Sequence, residues 1–315
     1  MTAYLHRNTT LSVFDSMKNG ILNCLDHSSE QKLQEPDYKE IIPTANLRRM
    51  SKVIKMGVAA ALTVAKEQSI QGIIVGSGAG CCNNTLLFIQ EYYERDKDVI
   101  SPNAFIQSTD NTIAGQIALI LKNYSYNITY IQKGLAFENA LIDAMLLSKE
   151  LDGNILVGGV DEWIPKFELN TQTKSNHPDY WIGEGASFFI INQKAKESLA
   201  KIAACKMVPA NKTSIEQKIH SFLKENQLSL PDLILYGNSF ANKDPFEGNI
   251  MSIKTFNYSN LSGIFFTNSA FATQLGAEII SNPGLAKSHN LEAKNILILN
   301  NFYDVDFGLT YLSAI

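Results

Sequence analysis

The sequence has few of the side chains that bind metals or carry redox chemistry. Its 315 residues include only four cysteines and five histidines. Cys24 and Cys205 stand alone, Cys81 and Cys82 are adjacent, and no two histidines have HxH or HxxxH spacing. A metal site needs several such ligands at short spacing, and a disulfide framework needs many cysteines in a short chain. The sequence therefore predicts neither.

Long apolar runs and an excess of positive charge are also lacking. No run is long enough to cross a bilayer, and the first residues, MTAYLHRNTT, lack the apolar core of a signal peptide. The formal net charge is -4, which gives no indication of a nucleic-acid partner. With 45% hydrophobic residues the chain can bury a large core. We expect a cytoplasmic globular protein.

A complete dinucleotide-binding loop is lacking too. The stretch from Gly72 to Gly76 is typical of a short buried strand, and SGAGCCNN follows it. The third glycine of a GxGxxG motif would fall at Cys81. We therefore expect these glycines to allow close packing at the end of a strand, and we predict no cofactor.

The most informative segment runs from Thr129 to Asp161. The run ITYI predicts a strand, a helical pattern follows Gly134, and ILVGG predicts a second strand. The helix has inward positions at Phe137, Ala140, Leu141, Ala144 and Met145, and outward positions at Glu138, Asp143, Lys149 and Glu150. In such a unit an α/β enzyme places its nucleophile at the elbow, where the helix dipole is positive. The elbow here reads QKGLA and has neither cysteine nor serine.

Strand and helix patterns alternate along both halves of the chain. Strands are predicted near residues 2–13, 72–76, 128–131, 155–157, 186–191, 202–208, 233–235, 296–299 and 309–312. Helices are predicted from Thr44 to Ala65 and over residues 85–93, 114–121 and 269–280, and a capping box at Thr213–Glu216 predicts another. The pattern predicts an α/β protein with two similar halves, residues 1–195 and 196–315, each a mostly parallel sheet covered by helices.

The chain resembles the β-ketoacyl-acyl-carrier-protein synthases of the thiolase superfamily. The N-terminal half carries the resemblance in SPNAFIQSTDNTIAGQIAL, FENALIDAMLLSKE, ILVGGVDE and GEGASFFII. The C-terminal half carries it in YGNSFANKD and LSGIFFTNSAFATQLGAEII. The resemblance implies a thiolase-like five-layered α-β-α-β-α fold. It also implies a dimer in which a strand of each N-terminal half pairs across the two-fold axis.

The chemistry that the resemblance implies needs four groups. A cysteine at the elbow takes the acyl chain as a thioester, two histidines polarise the thioester carbonyl and stabilise an enolate, and a lysine orders the site. The cysteine position falls at Gly134, the histidine positions at Tyr236 and Ile264, and the lysine position near Ser259. None of the four groups is kept, and the expected C-terminal glycine-rich loop is replaced by NNFYD at residues 300–304.

Within this superfamily the chain is similar to chain-length factors, the non-elongating partners of ketosynthases in type II polyketide, aryl-polyene and flexirubin-type systems. RRMS at residues 48–51 and SAFA at residues 269–272 fit that subgroup. The resemblance implies an inactive partner that shapes an acyl tunnel in polyketide or fatty-acid-like biosynthesis. It would pair with an active ketosynthase or with itself, and acyl carrier protein would be a further partner. Expected tunnel or interface residues are Phe105, Asn111, Thr112, Gly134, Leu135 and Phe137. Ordinary core packing explains Phe105 and Phe137 equally well.

Two alternatives stay open. One is a stand-alone acyl-transfer enzyme with a relocated nucleophile, drawn from Cys81, Cys82 and Lys133 and assisted by Asp110 or Glu184. The other is a homodimeric scaffold that binds acidic acyl carrier proteins through Arg48, Arg49, Lys52 and Lys55. Packed thiols and a solvated basic helix face are the simpler explanations of these residues.

Overall fold

The computed structural model describes residues 1–12, 35–94, 102–164, 183–209, 213–238, 253–302 and 306–315. Several sequence features lie outside these residues: Cys24, most of the polar connection after Trp163, the segment 239–244 and the pair Tyr303–Asp304. No helix in the described ranges is long and apolar enough to cross a membrane.

Ten strands are present in the described residues, nine of them in the predicted places. They are β1 (Ala3–Ser12), β2 (Ile70–Ser77), β3 (Tyr126–Ile131), β4 (Asn154–Asp161), β5 (Gly185–Asn192), β6 (Ala200–Pro209), β7 (Leu233–Asn238), β8 (Lys254–Asn257), β9 (Asn295–Phe302) and β10 (Asp306–Ser313). The strand that sequence analysis missed is β8, because its four residues, KTFN, have no alternating apolar pattern.

Eleven α-helices occur in the same ranges, together with a 3₁₀ helix at Lys133–Leu135. They are α1 (Tyr38–Ile41), α2 (Thr44–Leu47), α3 (Lys52–Ala65), α4 (Cys82–Glu94), α5 (Pro102–Gln107), α6 (Thr112–Leu121), α7 (Ala136–Leu151), α8 (Ile215–Glu225), α9 (Ser259–Ser262), α10 (Asn268–Ser281) and α11 (Pro283–Ser288).

The predicted helix from Thr44 to Ala65 is wrong as one element. The chain forms α2, leaves the helix at residues 48–51 and starts α3 at Lys52, after an extended Ser51. Met50 turns into the core in this break, so the apolar periodicity continues although the helix does not. The predicted capping box is displaced by one residue: Ser214 and Gln217 form it.

All ten strands lie in one sheet, in the order β3-β2-β4-β5-β1-β6-β10-β9-β7-β8. The first five strands and the last five repeat one arrangement. Counted in chain order within each set, the second strand lies between the third and the fourth and is parallel to both. The fifth strand lies between the fourth and the first and is antiparallel to both. The two sets meet where residues 3–5 of β1 pair with residues 200–202 of β6.

This topology confirms the thiolase-like α/β fold in two pseudo-repeated halves. The prediction that each half is a mostly parallel sheet is wrong: within each half two strand pairs are parallel and two are antiparallel, and the strands of both halves lie in one sheet. The predicted boundary between residues 195 and 196 falls in the connection between β5 and β6, and it stays a prediction.

The helices α7 and α10 lie at the centre of the layers, because both pack against strands of both halves. Their apolar side chains, among them Phe137, Leu141 and Phe271, belong to one core cluster. The helices α3 and α6 cover the outer face of the first half, and α8 covers that of the second. The faces of these helices that pack against the strands are shielded from solvent, which matters for the site below.

Candidate functional site

The elbow between β3 and α7 is the single 3₁₀ turn Lys133–Leu135. Lys133 has a left-handed backbone, with φ of 47°, and its N–H donates to the Gly78 carbonyl at 3.2 Å. Gly134 is buried, so the turn carries the chain from the sheet edge into the central layer. The helix then begins directly over β2: a Cβ on Gly76 would lie 2.6 Å from the Ala136 carbonyl oxygen.

Gly134 offers no side chain, and its carbonyl group is held from the opposite half. Nδ2 of Asn300, on β9, donates to the Gly134 carbonyl and to Oε1 of Glu138, both at 2.7 Å. Asn300 and Glu138 are both buried. Helix α7 is thereby joined to β9 directly beneath the elbow.

The prediction that Glu138 lies on an outward face is wrong. Glu138 lies in the first turn of α7, where its side chain points at β9 and β10. A Cβ on Gly308 of β10 would lie 2.6 Å from Oε1 of Glu138. Lys149 and Glu150, nearer the end of the helix, are exposed as predicted. A sequence signal did exist, since Glu138 follows Gly134 by four residues and so shares the face of the elbow.

Burial raises the pKa of Glu138 to about 7, against the opposing donation from Asn300. A carboxylate in such a place needs several donors or a cation to remain ionised. Glu138 is therefore close to half protonated at neutral pH.

Two of the four positions that the resemblance assigns to catalytic groups meet through Asn300. This residue bonds to Gly134 and, in the parallel ladder of β7 and β9, pairs with Gly237. Tyr236 directly precedes Gly237 on β7. The elbow and the end of β7 are thus connected through one buried amide.

The other two positions, Ser259 and Ile264, are joined to Tyr236 and to each other through neighbouring residues. The Tyr258 N–H donates to the Tyr236 carbonyl at 3.0 Å, and Ser259 begins α9 directly after it. Nδ2 of Asn268 lies 3.4 Å from the Ser259 hydroxyl and donates to the Gly263 carbonyl at 3.0 Å, next to Ile264. Contacts of Asn300, Tyr258 and Asn268 therefore link the segments that carry the four positions, whose catalytic assignment stays a prediction.

A second buried carboxyl, Asp161 at the end of β4, is far better paired. Its Oδ1 accepts the Ser77 hydroxyl at 2.9 Å and the N–H groups of Gly78 and Ala79 at 2.8 and 3.2 Å. Its Oδ2 accepts the N–H and hydroxyl of Thr267 at 3.1 and 2.7 Å. Burial raises the pKa of Asp161 to about 6 and these donors oppose the rise, so the group is ionised at neutral pH. Sequence analysis assigned no role to it.

The predicted tunnel or interface residues fall into two groups. Gly134, Leu135 and Phe137 are buried at the elbow, and the Phe137 ring lies 5.8 Å from that of Phe189 in the core. The others lie near the outer edge of the sheet, with Phe105 exposed on α5.

Asn111 and Thr112 begin α6 and connect it to its neighbours. Oδ1 of Asn111 accepts the Thr129 hydroxyl of β3 at 2.7 Å, and its Nδ2 donates to Oδ1 of Asn127 at 2.9 Å. Thr112 is buried and donates to the Ile106 carbonyl at 2.6 Å. These contacts fix the position of α6 beside the edge strand.

Exposed apolar side chains surround the edge strand β3. Within the described residues it pairs with β2 alone. The large side chains exposed on and near it include Tyr126 and Ile131 on the strand, Leu119 on α6, and Phe105 and Ile106 on α5. An unpaired strand edge flanked by exposed apolar groups is a surface that favours association.

The thiols proposed as relocated nucleophiles are not activated. Burial, with the nearby charges of Asp110 and Glu162, raises the pKa of Cys81 to about 12 and also raises that of Cys82. Reactive thiols have a lowered pKa instead. Lys133 is exposed at the elbow. Among the described residues, no three His, Cys, Asp or Glu side chains lie together as a metal site would require.

The basic residues in and just before α3 differ in their contacts and exposure. Lys52 forms an ion pair with Glu184 at 2.5 Å, and Glu184 also accepts the Trp163 N–H at 3.0 Å. Arg48 and Arg49 are exposed. Arg49 lines a cavity of about 420 Å³ with Pro102, Asn103, Ile106, Gln107, Thr112 and Gln116.

Comparison with known proteins adds a family and a set of similar structures. Residues 25–228 match the family model described as the β-ketoacyl synthase N-terminal domain. No curated protein matches the chain. Over the full length of both chains, the structure is similar to the ishigamide ketosynthase/chain length factor, with 14% identity and a TM-score of 0.77.

Two further solved structures are similar over nearly the whole of both chains. A type II polyketide synthase acyl-carrier protein in complex with its ketosynthase gives 11% identity and a TM-score of 0.75, covering 100% of this chain and 99% of that one. A β-ketoacyl synthase from Burkholderia phymatum gives 12% identity and a TM-score of 0.72, covering 99% of each chain. At these identities the likeness shows the fold.

Proposed function

The chain belongs to the β-ketoacyl synthase family, and from that premise we propose that it is a non-catalytic partner of an active ketosynthase, of the chain-length-factor type. The observation that carries the proposal is the elbow. The residue at its centre is Gly134, and its carbonyl is held by Asn300. A glycine cannot form the thioester that holds an acyl chain.

The other positions support the same conclusion. The positions that the resemblance gives to two histidines carry Tyr236 and Ile264. A tyrosine does not titrate near neutral pH, and an isoleucine offers no donor for an enolate oxygen. A decarboxylase without the condensing step would also need those donors. The raised pKa values of the buried Cys81 and the half-buried Cys82 support the same reading, because a replacement nucleophile would need a lowered one.

The partner surface that we propose is the β3 edge with α5 and the start of α6. It contains the exposed Phe105 and Ile131, with Asn111 and Thr112 bracing α6 behind it. A ketosynthase that pairs with this edge would bring its own acyl tunnel against Phe105. The apolar lining supplied there would set how long a chain fits. The pathway class that we propose is polyketide or fatty-acid-like biosynthesis.

The test is co-expression with a Cys-His-His ketosynthase from the same organism, followed by size exclusion and measurement of affinity. The pair should co-elute. Ile131→Lys should weaken the pair by about tenfold or more, because it would bury an unpaired charge at the interface. Leu230→Lys is the matched control, since Leu230 is also exposed but lies in the second half, before β7.

Association that is equally weakened by both variants would contradict the proposed surface. A chain that stays apart from such ketosynthases would contradict the proposed function.

One observation favours carrier-protein binding as an additional role. Arg48 and Arg49 are exposed, and Arg49 opens onto the cavity beside α5 and α6. Carrier proteins are usually acidic, and such a pair of cations favours their approach. Adding acyl carrier protein to the size-exclusion experiment, with Arg48→Glu and Arg49→Glu as variants, tests this role separately from ketosynthase binding.

A further inference from the structure

Asn300 touches both the elbow carbonyl and the buried carboxyl of Glu138. Its side-chain nitrogen donates to two acceptors, the Gly134 oxygen and Oε1 of Glu138, each at 2.7 Å. The amide nitrogen must therefore face them, and both of its hydrogens are used. When the carboxyl group of Glu138 is protonated, Oε1 can accept this bond as the carbonyl oxygen while Oε2 carries the proton.

The surroundings of Glu138 favour that neutral form. The titratable groups that face it are the Cys205 thiol on β6 and the Tyr258 phenol. Burial raises the pKa of Cys205 to about 12 and raises that of Tyr258 well above its usual value, so both are uncharged near pH 7. Ser269 on α10 and the Gly308 backbone on β10 complete the contacts. Within the described part of the chain, Oε2 of Glu138 and the Tyr258 hydroxyl have no hydrogen-bond partner.

We propose that Glu138 is a positioning residue for the elbow. With its carboxyl protonated, it holds the elbow through Asn300, and the two side chains occupy the space under Gly134. We call Gly134, Glu138 and Asn300 the elbow clamp. The clamp joins α7 of the first half to β9 of the second, 162 residues further along the chain. All three residues of the clamp belong to this chain, so the clamp does not depend on the proposed partnership with a ketosynthase.

The direction of its pH dependence follows from the two pKa values of Glu138. The ordinary value is 4.5 and the folded value is about 7, so the folded state binds the proton more tightly. A group of this kind contributes stability that is complete below the unfolded pKa. The contribution is lost as the pH rises between the two values and levels off above the folded one. The clamp should therefore be strongest near pH 4.5 and loosen as the pH rises to about 7.

Hydrogen exchange at the elbow measures the clamp directly. Protection of the backbone amides of residues 135–137, corrected for intrinsic exchange rates, should fall by up to about tenfold per pH unit between roughly pH 5 and 7, then level off. Glu138→Gln keeps an acceptor for Asn300 but cannot ionise, so its protection should stay nearly constant over the same range. Asn300→Ser, which cannot reach both acceptors, should lower protection at every pH.

Glu162→Gln is the matched control. Burial also raises the pKa of Glu162 to about 7, but Glu162 follows β4 and lies near the charges of Lys52 and Glu184. This variant should retain the wild-type profile at the elbow. Asp161 reaches the elbow only through Gly78 and Lys133, so the difference between wild type and Glu138→Gln isolates Glu138.

A wild-type profile without pH dependence would overturn the proposal, and it requires no variant to fold. An unchanged pH dependence in Glu138→Gln would overturn it as well. The experiment measures hydrogen exchange at the elbow of the full chain and does not measure association. A negative result would therefore leave the proposed partnership with a ketosynthase untouched.

Discussion

At the scale of the residue, the number of donors decides the charge of a buried carboxyl. Asp161 has five donors on its two oxygens, whereas Oε1 of Glu138 has the Asn300 amide. Burial raises the pKa of both groups, to about 6 for Asp161 and about 7 for Glu138. Asp161 thus joins the halves through many hydrogen bonds, and Glu138 joins them through few.

Asp161→Ala should strongly destabilise the fold. It would leave the N–H groups of Gly78, Ala79 and Thr267 without their acceptor, in the interior. We expect a loss of roughly 3–5 kcal/mol in the free energy of unfolding, measured by urea denaturation near pH 7.

Asp143→Ala is the control, because Asp143 accepts an exposed hydrogen bond from Tyr126 at 3.0 Å and lies beside Tyr130 at the sheet edge. It should change the free energy of unfolding by only about 0.5 kcal/mol. Equal losses in the two variants would contradict the role given to Asp161.

Residue pairs such as Glu138 and Asn300 lie beyond local sequence patterns. The two are 162 residues apart, and periodicity assigns Glu138 to the polar side of an amphipathic helix. That assignment assumes that the polar side faces solvent, but α7 packs against strands of both halves and Glu138 is buried. The one sequence feature that could have indicated a buried Glu138 is its position four residues after Gly134.

At the scale of the element, the position of α7 depends on a glycine in the strand below it. A Cβ on Gly76 would lie 2.6 Å from the Ala136 carbonyl oxygen and 2.9 Å from Cα of Phe137. Both are backbone atoms, which cannot rotate away as a side chain would. The start of the helix, and with it the elbow, is fixed by this approach.

Gly76→Ala should therefore destabilise the protein by about 1–3 kcal/mol through overpacking. Gly115→Ala is the matched control. A Cβ on Gly115 would meet nothing within 4 Å, and its position inside α6 should let alanine stabilise the fold by about 0.5–1 kcal/mol. Thermal or urea unfolding of both variants gives the two values. A stabilising Gly76→Ala would show that the elbow does not rest on β2.

Most elements could be predicted because their burial has a regular period. The strands β4 and β5 are almost wholly buried and appear as continuous apolar runs, and the helix α6 shows its apolar stripe. The break at residues 48–51 could not be predicted, because Met50 keeps the apolar period through it. The short β8 is stabilised by pairing with β7 and carries little signal of its own.

At the scale of the whole molecule, the two halves repeat one strand order without a visible sequence repeat. The alternation of patterns predicted the duplication, and the resemblance predicted its layers. Neither could predict that the place beneath the elbow is occupied by Asn300 and Glu138, because this depends on how the halves meet.

The central claim is that a ketosynthase scaffold persists here without a residue that can hold an acyl chain. The most direct test is intact-mass measurement of both chains after the co-purified complex is incubated with acyl-loaded carrier protein. We predict an acyl adduct on the ketosynthase and no change in the mass of this chain. An acyl adduct on this chain, at any residue, would contradict the account.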